Sequence, residues 1–252
     1  MTDTPETGIE VSRKRVWGGW ATAGYGLVIV GTTVMVQVMV SFAFLIGIIA
    51  SSGLQGDPPP FMEGLEEIGG LVAAVSSYPS AVIGLALVIA FIKMRNGAGI
   101  REYLGLTPIS LKTLLIVLAI SAGYIVLTEG LGQIIKPPTS EFAFDLYRTS
   151  VWPPLLWIAV IVFAPAFEET FFRGFLFEGF RQSRIGITGA ILITAVVWTL
   201  LHIQYSAFEI ATLFVLGLIL GVVRWKTGSM WSVLAMHAFH NAAATVLIAL
   251  SV

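Results

Sequence analysis

The chain has no cysteine and few charged residues. Without cysteine it can form no disulfide, no zinc–thiolate centre and no cysteine nucleophile. Only 12% of its residues are charged, where soluble domains carry about a quarter. A net charge of −1 supplies no basic surface for a polyanion, so nucleic acid is not an expected partner. Short alternating segments of the kind that build transmembrane barrels are also missing.

What the sequence has instead is long apolar runs. Hydrophobic residues make up 56% of the chain, and the mean hydropathy is +0.88. A helix needs roughly 20 apolar residues to cross a bilayer, and runs of that kind recur at about 20–50, 70–92, 111–135, 153–180, 187–202, 208–223 and 230–250. The pattern predicts an all-α, polytopic transmembrane helix bundle of about seven spans, within a range of six to eight. Turn-forming stretches separate the runs: SSGLQGDPPP, RNGAG, KPPTS, SRIG and KTGS. The expected organisation is a cytoplasmic tail over 1–19, helices and loops over 20–152, and a second group of helices over 153–250. The basic N-terminus precedes an apolar run too long for a cleavable signal, and reads as a tail followed by a first span.

The charges test this parse. Arg13, Lys14 and Arg15, then Lys93, Arg95, Arg101 and Lys112, then Arg173, Arg181 and Arg184, and finally Arg224 and Lys226 fall at alternate ends of the spans. The opposite loops hold only Lys136 and Arg148 among Asp57, Glu63, Glu66, Glu67, Glu141 and Asp145. The excess of Lys and Arg in cytoplasmic loops places the N-terminus inside and the C-terminus outside. The short basic tail suggests a prokaryotic plasma-membrane protein. GLILG sets Gly217 and Gly221 one turn apart, a spacing for close helix packing in lipid.

Polar groups inside spans are expensive and point to function. In AFEETFFRGF, residues 166–175, Glu168, Glu169 and Arg173 come after LLWIAVIVFAPAF, thirteen residues without a charge. Adjacent helical residues diverge by about 100°, so Glu168 and Glu169 cannot share a direction. Arg173 lies four residues after Glu169, the spacing of an intrahelical ion pair, which leaves Glu168 without a local partner. Pro165 removes an amide donor just before it. His202 is as far from Ile185 as Glu168 is, which sets the two at similar depth in a helical hairpin. Trp198 should pack on the His202 ring. HAFHN puts His237 and Asn241 on one face, with His240 beside them in a packing or supporting role.

A carboxylate with a histidine can activate water, and a histidine with an amide can stabilise an oxyanion. Glu168, His202 and His237 could instead hold zinc. A structural ion pair would equally explain Glu169 and Arg173, and HxxxN recurs by chance. Glu129, near the outer end of the third span, is given no role. Spacing alone therefore yields a polar intramembrane site with its chemistry open.

EETFFR, WTLLH and HAFHN, in that order, resemble the EExxxR, FxxxH and HxxxN motifs of the CAAX prenyl endopeptidase and bacteriocin-processing (CPBP, or Abi) family of intramembrane proteases. The resemblance covers roughly Pro154 to Val246, plus REYLGL. Trp198 stands where the family has phenylalanine. The resemblance implies a catalytic core over 153–250 and an endopeptidase acting on a small peptide or membrane-protein substrate in the bilayer. It makes Glu168 the water-activating base assisted by His202, His237 and Asn241 the oxyanion donors, and Glu169 and Arg173 supporting members. A metal-independent mechanism fits this set better than zinc, since asparagine is a poor zinc ligand and there is no HExxH. The alternative from another class is a non-catalytic immunity or scaffold protein that sequesters a peptide or partner.

Overall fold

The computed structural model describes residues 16–51 and 61–252, without the side chains of 49 and 61–66. The basic tail with Arg13, Lys14 and Arg15, the loop with Asp57, and the side chains of Glu63 and Glu66 lie outside the described residues. The architecture is an all-helical bundle, with no strand among the described residues. Its helices are α1 (Gly19–Ser51), α2 (Phe61–Met94), α3 (Ile100–Leu104), α4 (Leu111–Ile135), α5 (Phe142–Arg148), α6 (Pro153–Arg181), α7 (Gly186–Leu200), α8 (Ala207–Thr227) and α9 (Met230–Ser251). Six of them, α1, α2, α4, α6, α8 and α9, are long and apolar enough to cross a membrane, and α7 is a shorter apolar helix. Their outer faces expose Leu27, Val126, Ile134 and Leu250, the inverse of a soluble protein and the surface a lipid solvent requires.

α6 runs through the centre, packed against α1, α2, α7 and α9. It is not a uniform α-helix. π-helical turns at Ala159–Phe163 and Thr170–Leu176 bracket the α-helical Ala164–Glu169, and such turns often accompany functional sites. Around its second half lies the main core, in which Phe171, Phe172, Phe175, Trp198, Leu220, Met230 and Met236 are at most 1% exposed. Only a small cluster of Ala74, Leu156 and Ala159 packs near its first half.

Lys93, Arg95, Arg101, Lys112, Arg181, Arg184, Arg224 and Lys226 all lie at the helix ends and turns of one end of the bundle, hereafter the basic end. Arg173 departs from this pattern because it is fully buried. At the basic end Arg224 donates through Nε to the Arg173 carbonyl (2.9 Å) and through Nη2 to the Leu104 carbonyl (3.1 Å). Gly105 makes room for that guanidinium. Its φ is +67°, and a Cβ there would stand 2.4 Å from Nη2. REYLGL is thereby tied to the π turn of α6.

At the other end α2 leaves helical geometry at Ile68. Thr149 takes up the amides beyond that kink, accepting from Gly70 N–H through its hydroxyl (2.8 Å) and from Leu71 N–H through its carbonyl (3.2 Å). This holds α5 against α2 as a roof. α7 and α8 approach closely through Gly217 and Gly221, whose Cβ positions lie 3.2 Å from Ala195 and 3.0 Å from Ile191, the packing expected of GLILG.

Candidate active site

A cavity of about 360 Å³ opens between these elements, with Glu168, Trp198, His202, His237 and Asn241 in its wall. α7 has fifteen residues, about 22 Å, shorter than a hydrocarbon core of about 30 Å. The turn at 201–206 that follows it lines the cavity through His202, Gln204 and Tyr205.

Glu169 is completely buried, and its Oε1 accepts from Arg173 Nη1 (3.0 Å) and from His237 Nδ1 (2.7 Å). Arg173, also completely buried, donates further to the Gly217 carbonyl (3.2 Å) and lies 5.0 Å from the Trp198 ring. The expected intrahelical pair is present, extended by a histidine from α9. Among the described residues, Glu169 Oε2 and Arg173 Nε have no hydrogen-bond partner.

Glu168 differs from its neighbour. Its side chain is 21% exposed, and Oε2 lies 4.0 Å from His237 Nε2. The same oxygen accepts from the Trp198 indole N–H at 2.5 Å. A buried indole N–H needs an acceptor, and the tryptophan of WTLLH satisfies that need with Glu168. Sequence reasoning paired Trp198 with His202 alone. Their rings do pack, at 4.8 Å between centroids, but the bond to Glu168 was missed. Glu168 and His202 line the same cavity, and the Trp198 side chain contacts both.

Both cavity histidines are held through Nδ1. A carbonyl oxygen can only accept, so His202 Nδ1 donates to the Trp198 carbonyl (2.8 Å). An ionised Glu169 likewise fixes Nδ1–H on His237. In the neutral form each ring keeps Nε2 as an acceptor.

Asn241 Nδ2 donates to the Val160 carbonyl at 2.8 Å. The backbone explains why. In the first π turn Ala164 N–H bonds Ala159 O; the next amide in that register belongs to residue 165 and would reach Val160 O. Residue 165 is proline and has no N–H. Asn241 supplies the missing donor from another helix and keeps a second amide hydrogen.

His240 is not in this cavity. It faces Tyr124, 6.2 Å between ring centroids, in a separate cavity of about 150 Å³ between α4, α8 and α9. Tyr205, which sequence reasoning also missed, lines the main cavity.

Residues 150–243 match the family described as Type II CAAX prenyl endopeptidase Rce1-like. That segment is similar to this family. It contains all three motifs, in agreement with the resemblance read from them. An Escherichia coli protein described as an uncharacterized 24.3 kDa protein is 33% identical over 113 residues, 42% of this chain and 51% of that protein. The match spans about half the length of that relative. No solved structure matches the chain. The Rce1-like segment begins just before α6 and ends within α9, and so includes every side chain of the Glu168–Glu169–Arg173–His237 network.

The His/His/Glu composition suits zinc. Among the described residues, however, no three His, Asp or Glu side chains are grouped to hold one ion. Each histidine commits Nδ1 and leaves Nε2 open, as a zinc-ligating histidine would, while Asn241 faces a carbonyl. The misfit lies in the spacing of the side chains, which are not grouped around one ion.

Proposed function

We propose that the chain is an intramembrane endopeptidase of the CAAX type, hydrolysing a peptide bond of a membrane-associated or small peptide substrate. The observation that carries this reading is Glu168, the cavity carboxylate, partly exposed and 4.0 Å from His237 Nε2. A water about 2.8 Å from each atom fits between them. It would donate one hydrogen to Glu168 and one to His237. Glu168 takes the proton as the water oxygen attacks the scissile carbonyl, then returns it to the leaving amine as the C–N bond breaks.

Glu169 and Arg173 act through His237 by fixing its tautomer and direction. The free hydrogen of Asn241, and His202 in its protonated form, are the oxyanion donors in this scheme. It exchanges the roles that the resemblance implies for the two histidines, and the contacts of Glu168 support the exchange.

The test is a peptide-library cleavage assay on detergent-purified protein, with and without chelator and with metal analysis. Chelator-resistant cleavage lost in Glu168→Gln is the expected result. Activity lost to chelator and restored by zinc would replace the water-activation scheme. Tight peptide binding without cleavage would favour the sequestering alternative.

A further inference from the structure

The cavity is closed towards the basic end. Below Glu168, Trp198 and His237 the helices are sealed by Phe171, Phe172, Phe175, Val233 and Met236, none more than 1% exposed. Its upper wall comes from the opposite end: α5 contributes Phe142, Ala143 and Tyr147, and the turn at 201–206 contributes Gln204 and Tyr205. α2 and α9 contribute through Ser77 and Ala244, both in the halves away from the basic end. Glu168 faces the cavity and is partly exposed, whereas Glu169 points away from it and is sealed. Around this mouth the described lysines and arginines are only Lys136 and Arg148, and Arg148 is held by Glu141 and Asp145 at 3.4 and 3.3 Å.

Lys and Arg concentrate on the cytoplasmic side of membrane proteins. We infer that the cavity opens to the extracytoplasmic face, so that its substrate is a peptide segment presented outside the cytoplasm, exported or juxtamembrane, and not a cytosolic chain terminus. The substrate class rests on the endopeptidase reading. The direction of opening does not.

Because the chain has no cysteine, single-cysteine variants report accessibility without background. Ser77→Cys and Ala143→Cys probe the cavity, Thr139→Cys the same end outside it, and Thr107→Cys the basic end. None of these residues is in the catalytic machinery. Each variant is treated with a membrane-impermeant maleimide in spheroplasts and in inverted vesicles. Cysteines at 77, 143 and 139 are expected to react in spheroplasts, and that at 107 only in inverted vesicles. Reaction at 77 and 143 only in inverted vesicles, or from neither face, overturns the inference.

A second arm adds an impermeant peptide that the purified protein cleaves. Spheroplasts should cleave it and sealed inverted vesicles should not. Cleavage confined to inverted vesicles would refute extracytoplasmic supply. If the purified protein cleaves no peptide, the endopeptidase reading and the substrate class fall, while labelling still decides the opening.

Discussion

Glu168 and Glu169 are neighbours in sequence with opposite environments, and two substitutions separate what each does. Glu168→Gln keeps an oxygen to accept from Trp198, so the fold should hold while turnover falls by about 10²–10⁴-fold, the contribution of a general base. Glu169→Ala leaves Arg173 charged in a dry site and frees His237. Breaking a buried pair in this way costs about 3–5 kcal/mol, and thermal unfolding in detergent should show the loss beside the loss of activity. Wild-type turnover in Glu168→Gln would mean that the base is misassigned. Asn241→Ala should reduce both quantities. It strands the Val160 carbonyl, at a cost of about 1–3 kcal/mol, and removes an oxyanion donor worth about 10²–10³-fold in turnover. Asn241→Asp, which cannot donate when ionised, should rescue neither. The Glu169–Arg173 pair was legible because both partners lie on one helix at a fixed spacing. The bonds from Trp198 to Glu168 and from Asn241 to Val160 were not, since each depends on how separate helices meet.

At the scale of elements, the π turns of α6 organise the site. Each releases a carbonyl that a side chain from another helix takes up, Asn241 from α9 for Val160 and Arg224 from α8 for Arg173. Pro165 announced a missing amide but not the register of the turn, so the sequence showed a loosened helix without showing which acceptor was freed. The long apolar runs specified the other helices well, because hydropathy alone decides them. The kink at Ile68 carried no such signal and depends on Thr149 capping two amides. Gly70 makes that contact possible, since a Cβ there would stand 1.9 Å from the Leu146 carbonyl. Gly70→Ala should therefore push α5 away from α2. The expected outcome is a lower melting temperature and a changed KM with kcat less affected, because α5 roofs the cavity without holding a reacting group. An unchanged melting temperature and KM would show that the roof does not depend on this approach.

For the whole molecule, the number of crossings follows from where the charges sit. α6 ends near Arg181 and Arg184, and α8 ends near Arg224 and Lys226, at the same end of the bundle. The chain must therefore travel to the far end between them, and α7 is the helix that carries it, although fifteen residues are too few to span the hydrocarbon unaided. The turn at 201–206, in the cavity wall, completes the passage. Counted this way the described chain makes seven passages, and α1 begins at the end opposite to that where α9 finishes. Reporter fusions in the turn at Gly97 and after Ser251 should consequently report opposite faces, with Gly97 cytoplasmic by the distribution of Lys and Arg. Both reporters on one face would mean that α7 dips in and returns. His202 would then lie in a re-entrant hairpin, and the extracytoplasmic direction of the cavity would lose its basis.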